Sequence, residues 1–413
     1  MNIERASGDL DPEFGSQGVA RLPSAGGSDY ATCIALIAGG GLYVGYHCAG
    51  RYRLARLTAD GQLDPTFGEN GYIDDSFYID KEPPNSQSST VFGIIVQDGY
   101  VMVVGELYYS FSITEAYYYP AMARFTLAGA LDRTFADGGH KVCKAEVDSR
   151  FVYQAGNVAG GYDTRLKRLY VIVNGSVPWG SENFKASAVL AFNMEGGLDG
   201  DFGEAGIAVV KPVAFSVFTW SSHIDDTGIY LGSRLEVEPS EFIDCAVLKL
   251  THQGTFDEGF GVQGIQLLER NAYPLGMFAG DHQNVMVVGY GGGSGVQFSL
   301  GQMDGLNDAT FNGGQPLEVS YQGTSVYGRV GLSKEGRYWV GNRWGVESQA
   351  LVERYHANGT LDAGFGVQGR ALIEPRDMRD CMAGATIASD DKGRLLLAGF
   401  DEFIAPVVVR LLG

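Results

Sequence analysis

Gly61-Gln62-Leu63-Asp64-Pro65-Thr66-Phe67-Gly68-Glu69-Asn70-Gly71 decides how this chain is read, because the chain carries it seven times. The other copies centre on Asp11, Asp132, Asp199, Asp257, Asp308 and Asp362. A Gly stands three residues before each Asp: Gly8, Gly61, Gly129, Gly196, Gly254, Gly305 and Gly359. A Phe stands three residues after it: Phe14, Phe67, Phe135, Phe202, Phe260, Phe311 and Phe365. A second Gly follows each Phe: Gly18, Gly71, Gly139, Gly206, Gly264, Gly314 and Gly369. The sequence between copies reads as strands.

The first Gly suits a turn that needs φ > 0, and Asp60-Gly61 and Asn358-Gly359 are strong turn pairs. The Asp carboxylate is suited to accept from backbone N–H groups two or three residues on, which pins Asp-x-x-Phe as a single turn. The Phe then points inward and buries a large apolar area. A Ca²⁺ loop is the competing reading. The residue before the first Gly speaks against it, being Ser7, Asp60, Ala128, Glu195, Gln253, Asp304 and Asn358 in turn. Ala has no side-chain oxygen to offer a hard cation.

Between the first two motifs four strands are expected, at Gly18–Leu22, Ala31–Ile37, Leu42–His47 and Arg53–Thr58. The third recurs as Val101–Glu106, Leu169–Asn174, Ile229–Arg234, Val285–Tyr290, Tyr338–Arg343 and Leu395–Phe400, all rich in β-branched, aromatic or Leu residues. No 3.6-residue period persists long enough for a helix. Four-stranded units repeated in sequence predict the blades of a β-propeller, folded as one domain over residues 1–413. The Asp-to-Asp spacings are 53, 68, 67, 58, 51 and 54 residues, and the interval across the two termini is 62. That interval falls within the range, so the expected fold is all-β, with seven blades of four antiparallel strands. Arg410-Leu411-Leu412-Gly413 continued into Ser7-Gly8-Asp9-Leu10-Asp11 repeats Arg56 to Asp64 in register. This predicts closure by the C-terminal strand pairing into the N-terminal blade, as its outer strand beside strands from residues 18–57, and removal of exposed sheet edges.

Ala55-Arg56-Leu57 through Gly71, with its Asp-Gly-x-Leu-Asp-x-x-Phe-Gly-x-x-Gly pattern, resembles the delta-60 repeat of bacterial β-propeller proteins. Ala136 and Asn312 replace the Gly after the Phe in the copies of Asp132 and Asp308, and Phe256 and Asn307 replace the Leu before Asp257 and Asp308. The resemblance covers essentially the whole chain. It implies a propeller fold and a bacterial source, and it brings no catalytic residues with it.

Thirty basic and 49 acidic residues give a net charge of −19. Such a surface repels nucleic acid and anionic membrane, so neither is expected as a main partner. The five Cys (Cys33, Cys48, Cys143, Cys245, Cys381) form no CxxC and are spread over the repeats, which predicts buried free thiols. Met1-Asn2-Ile3-Glu4-Arg5-Ala6 is not followed by an apolar signal segment, and no apolar run approaches the ~20 residues of a membrane span. The simplest expected location is the cytoplasm, with an extracellular or periplasmic one left open.

No nucleophile elbow, Walker loop, HExxH or dinucleotide fingerprint is present. Gly291-Gly292-Gly293-Ser294-Gly295 lacks the following helix that a phosphate cradle needs. The six His occupy different places in the repeat, which argues against a metal ring. Trp220-Ser221-Ser222-His223-Ile224-Asp225 gathers Ser, His and Asp, but neighbours on a strand point to alternate faces and make no triad. No catalytic residue, metal site or cofactor is therefore expected.

The better signal is an asymmetry between the two ends of the blades. The motif loop is expected to join the fourth strand of one blade to the first of the next. It shares its end with short regular turns such as Gln97-Asp98-Gly99 and Asp226-Thr227-Gly228. The connections at the other end vary. Asp74–Ser89 is long, Tyr108–Pro120 includes Tyr108, Tyr117, Tyr118 and Tyr119, Val177–Lys185 includes Trp179 and Phe184, Glu236–Asp244 is acidic, and Arg343–Ser348 carries Trp344. Variable aromatic loops on a rigid scaffold are where binding concentrates. Tyr108, Tyr117, Tyr118, Tyr119, Trp179, Phe184 and Trp344 are the expected binding residues. The expected function is a non-catalytic scaffold for a protein partner. A lectin-like propeller is the alternative, since Tyr and Trp faces stack on sugars and carboxylates accept from hydroxyls. A hydrolase or lyase using carboxylates near the central channel is a third reading.

Overall fold

The computed structural model describes residues 6–27, 29–77, 86–112, 115–143, 152–153, 159–179, 182–211, 215–237, 241–268, 272–280, 283–291, 293–344, 349–381 and 386–413. The fold is a seven-bladed β-propeller with four-stranded antiparallel blades. Among the described residues the one helical element is a single 3₁₀ turn, Asn312–Gly314, in the shortened motif copy. The chain resolves into two compact units, one of residues 1–74, 275–300 and 307–413, the other of residues 75–274 and 301–306.

The first unit holds blade 1, most of blade 5, and blades 6 and 7. Blade 1 is Tyr30–Leu36, Leu42–Cys48, Arg51–Leu57 and Tyr72–Asp75. Blade 5 is Ala272–Ala279, Asn284–Gly291, Ser294–Gly301 and Leu317–Tyr321. Blade 6 is Thr324–Lys334, Arg337–Trp344, Gln349–His356 and Arg370–Leu372, and its first strand pairs with the last of blade 5 through Tyr321 and Thr324. Blade 7 places Asp380–Cys381 and Ile387–Ser389 beside Leu395–Phe400, followed by Pro406–Leu411 and Val19–Arg21.

The second unit holds three blades. Blade 2 is Ser86–Gln97, Tyr100–Ser112, Glu115–Thr126 and His140–Val142. Blade 3 sets Val152–Tyr153 and Ala159–Asp163 beside Arg168–Trp179, then Glu182–Phe192 and Ile207–Val210. Blade 4 is Ser216–Asp225, Gly228–Val237, Glu241–Leu250 and Ile265–Leu267.

The core lies between consecutive blades, so the second and third strands are apolar on both faces. Leu42–Cys48 is buried at six of its seven positions. Met102, Val104 and Met122 of blade 2 pack on Leu169, Val171 and Val173 of blade 3, and Val330 and Val352 of blade 6 pack on Leu395 and Val407 of blade 7. Each such side chain contributes about 1.5–3 kcal/mol when fully buried. The first strands of blades 1, 2, 4 and 6 each carry a register shift, after Ala31, Val91, Thr219 and Gly328. Bulges there raise the local twist.

The expected strand positions agree with these, but their grouping is corrected. Gly18–Leu22 does not begin the blade of Leu42–Cys48. Val19–Arg21 pairs with Pro406–Leu411, with Ala20 opposite Val408. The N-terminus therefore supplies the outer strand of the C-terminal blade, and blade 1 takes its outer strand from Tyr72–Asp75. By the same token, the motif joins the third strand to the fourth within one blade. The reason is local: Asp64 N–H donates to the Arg56 carbonyl and Arg56 N–H donates to the Gly71 carbonyl, at 2.9 and 3.0 Å. The motif thus folds back on the strand it leaves, and the next strand joins the same sheet.

Candidate binding face and the motif corners

At each corner the motif Asp works with both carboxylate oxygens. Oδ1 accepts the backbone N–H two residues on, from Glu13, Thr66, Thr134, Asp201, Gly259, Thr310 and Gly364, at 2.8–3.1 Å. This is the expected backbone role of the Asp. At six of the seven corners Oδ2 faces a cation that the sequence reading did not single out. Arg410, Arg56, Arg124, Lys249 and Arg354, on the third strands, lie 2.7–2.9 Å from Asp11, Asp64, Asp132, Asp257 and Asp362. In blade 3 the third-strand position is Ala191, and Arg168 reaches Asp199 at 2.6 Å from the second strand instead. Each cation also sits over the motif Phe, 4.6–5.9 Å from its ring centre. The signal was available, since Arg or Lys stands eight residues before four of the Asp residues.

Neighbouring copies interlock. Gly61 adopts φ +80°, and a Cβ there would stand 2.8 Å from the ring of Phe14 in the preceding copy. The residue before that Gly contributes its carbonyl: Asp60, Gln253, Asp304, Asn358 and Ser7 accept from Gly15, Gly203, Gly261, Asn312 and Gly366. Its side chain is free to vary, which explains why Ala128 is tolerated at this position.

At the other end of the blades, the described parts of two segments expected as loops, Tyr108–Pro120 and Val177–Lys185, are strands. Tyr100–Ser112 and Glu115–Thr126 form one hairpin arm of blade 2, in which Tyr108 faces Tyr118 and Tyr109 faces Tyr117. Arg168–Trp179 and Glu182–Phe192 form an arm of blade 3, with Trp179 opposite Glu182 and Val177 opposite Phe184. These strands run to 11–13 residues, against 6 in Leu395–Phe400. Aromatic and β-branched residues favour paired, pleated backbone, so the aromatic loops extend the sheet.

The alternation of strand faces splits the four expected Tyr residues. Tyr108 and Tyr118 are half-buried and their rings meet at 5.0 Å. Tyr119 is 7% exposed and belongs to the opposite face with Tyr109. The side chains of Tyr117, Trp179, Phe184 and Trp344 lie outside the described residues, although their backbones are paired in strands. Between the arms of blades 3 and 4, Lys185 Nζ reaches Glu236 Oε2 at 2.8 Å, which fixes one of the acidic residues expected in a loop.

The sequence reading missed Glu106. It shares the face of Tyr108 and Tyr118, two residues from Tyr108 and opposite Pro120. Its Oε2 is shut off from solvent and accepts no hydrogen bond. Burial pushes its carboxyl up to about 7. Burial, then Glu106 and Tyr108, push the Tyr118 hydroxyl up as well. In blade 6, burial also raises Glu353, but Arg370, Tyr355 and Asn342 satisfy it, and it is a structural group.

The Ser-His-Asp run forms no triad. His223 Nε2 meets Asp225 Oδ2 at 3.1 Å, while Ser221 Oγ donates to the Pro274 carbonyl. Against the desolvation that raises it, hydrogen bonds from His223 and Thr227 hold Asp225 at about 2. Cys33, Cys48, Cys143 and Cys245 are buried and form no disulfide among the described residues, and Cys381 has its side chain outside them. Among the described residues no group of three or more His, Cys, Asp and Glu is placed to hold a metal ion, and no helix is long and apolar enough to cross a membrane.

Fold and site together define a β-propeller with a corner repeated from blade to blade and an aromatic arm on blade 2. Residues 37–67, the second and third strands of blade 1 with its motif, match a β-propeller domain of unknown function, DUF5122. No curated protein matches the sequence. Among solved structures the chain is similar to virginiamycin B lyase from Staphylococcus aureus with quinupristin, at 11% identity and TM-score 0.50, covering 96% of this chain and 99% of that one. A selenomethionine-substituted form of that lyase gives 9% identity and TM-score 0.49, with the same coverage. A quinonprotein alcohol dehydrogenase-like protein from Bacteroides thetaiotaomicron gives 12% identity and TM-score 0.42, covering 84% of this chain and 68% of that one. At these identities the likeness is one of fold.

Proposed function

We propose that this protein is a non-catalytic binding propeller that recognises a protein partner through the arms of blades 2 and 3. The motif copies serve as delta-60 repeats that build the scaffold. The observation that carries the reading is the arm of blade 2: a long, paired hairpin presenting the half-buried Tyr108–Tyr118 pair on the same face as Glu106. Aromatics on paired backbone bury large area with little ordering entropy, as hot spots do. A lectin-like role is the second reading, because Glu106 Oε2 is an acceptor without a donor on the face of two Tyr rings. A hydrolase or lyase needs acid and base together, and the two raised Glu residues belong to different blades.

The test is the double variant Tyr108→Ala/Tyr118→Ala. Binding of the partner captured by the wild type is expected to weaken by about 1–2 kcal/mol or more, read by titration. Thermal unfolding is expected to move little, because both rings are only half-buried. Undiminished binding by the double variant would overturn the proposal. A glycan-array signal lost in the same variant would decide for the lectin-like reading.

A further inference from the structure

Six of the seven corners hold a cation against the motif Asp, and among the described residues the corner of blade 5 does not. The equivalent of the third-strand Arg is fixed by the backbone bond that each motif Asp makes. Asp308 N–H donates to the Ser299 carbonyl, as Asp64 N–H does to that of Arg56. Ser therefore stands where Arg56, Arg124, Arg354, Arg410 and Lys249 stand elsewhere. The second source of a cation is the start of the second strand, which supplies Arg168, Arg337 and Arg394 to Asp199, Asp362 and Asp11. In blade 5 that residue is Asn284, whose Nδ2 donates to Asp308 Oδ2 at 2.7 Å. Both places are neutral, and among the described residues no cation reaches Asp308 and none lies over Phe311.

A recess occupies the place of the missing side chain. Asn284, Ser299, Asp308, Thr310, Tyr338 and Ala357 are among its lining residues. Ala357 stands two residues before Gly359, as Ala59, Met194 and His252 stand before Gly61, Gly196 and Gly254. The carbonyls of those three accept from Arg410, Arg124 and Arg168, at distances from 2.5 to 2.7 Å. The recess thus keeps a carboxylate, the Tyr338 ring that packs beside the motif Phe311, and the residue that supplies the acceptor carbonyl. In place of a guanidinium, the neutral Asn284 Nδ2 and Ser299 Oγ donate to Asp308 Oδ2, at 2.7 and 3.2 Å. Asp308 and Ala357 are half-buried and Thr310 is exposed, so the site opens to solvent.

We propose that the corner of blade 5 is a receptor for a guanidinium group brought by a ligand, which completes the corner as Arg56 or Arg410 completes its own. Guanidinium is favoured over a primary ammonium because five of the six resident cations are Arg and one is Lys. The site is separate from the aromatic arms and does not depend on the function proposed for them.

The experiment is thermal unfolding of the full chain with millimolar methylguanidinium chloride, beside sodium chloride and methylurea at matched concentration. Methylguanidinium is expected to raise Tm saturably, by about 1–2 °C more than either control. S299R is expected to unfold at a higher temperature by itself and to lose the response, since its own side chain fills the recess. D308N keeps the neighbouring groups, removes the charge, and is expected to lose the response as well. If S299R fails to fold, D308N alone decides. An equal response to methylurea, or a full response in D308N, would overturn the assignment. Titration with a Gly-Arg-Gly peptide then separates the sources. Binding tenfold tighter than methylguanidinium points to a polypeptide arginine, and equal binding points to a free guanidino compound.

Discussion

At the corner of blade 1, Asp64, Arg56 and Phe67 hold one another, with Asp64 also taking the Thr66 N–H and hydroxyl. On the arm of blade 2, Tyr108 and Tyr118 meet each other, and Glu106 on the same face has a carboxylate oxygen with no donor. The corner is closed chemistry. Where Ala191 leaves the third strand without a cation, Arg168 supplies it from the neighbouring second strand. The arm is open chemistry at Glu106, whose Oε2 has no donor to lose. A repeat protein keeps the first kind of site to hold its scaffold together and leaves the second kind free to specialise.

The largest effect should come from breaking a corner at its ring. Phe67 is fully buried and meets Tyr43 edge-on at 5.3 Å. Phe67→Ala is expected to cost about 3–5 kcal/mol in urea unfolding. A cost within the range of surface substitutions would show that the corner ring is not core.

The arm should instead show itself through pH. Glu106 has an ordinary value of 4.5 and is raised to about 7 by burial. Between those values the folded state holds a proton that the unfolded state has released. The native state is therefore favoured below 4.5, and that contribution is lost as pH rises through about 7. Glu106→Gln should remove this dependence and stabilise the protein above neutrality, on the order of 2–3 kcal/mol. Urea midpoints at acidic and alkaline pH check it, and parallel pH profiles for the two proteins would refute it.

The smallest effect sharpens the contrast from the corner side. Asp64→Ala removes one acceptor from a turn that keeps its backbone bond from Phe67 to residue 64. Arg56 is 18% exposed and can turn to water. The expected cost is about 1 kcal/mol, the usual value for a lost side-chain cap. A loss as large as that of Phe67→Ala would mean that the ion pair, and not the ring, is the fulcrum of the corner.

The period of the fold was legible, and its phase was not. Seven copies of one motif name seven blades, and the apolar runs at Leu42–Cys48 and Leu395–Phe400 name their strands. Nothing in a periodic sequence says where one blade ends. The bond from Asp64 to Arg56 settles it, by turning the motif back on its own strand and leaving Val19–Arg21 to complete blade 7. The binding face was legible only in part for a similar reason. Tyr117, Tyr118 and Tyr119 look alike in sequence, but pleating sends Tyr118 to one face and Tyr119 to the other. Glu106 was passed over because its shift comes from the groups around it, which its own stretch of sequence does not show.

The sequence by itself determined what recurs: the turn residues, the inward Phe, the Asp that holds its own backbone, and the count of blades. These depend on contacts a few residues apart, and such contacts are written locally. Tertiary structure alone decided what depends on neighbours distant in the chain. It chose which terminus completes which blade, and which Tyr is core. It also set the cation that meets six of the seven Asp residues from another strand and, among the described residues, left the corner of blade 5 without one. Burial and charge pairing are properties of the assembled neighbourhood, and a residue acquires them only when the strands around it are in place.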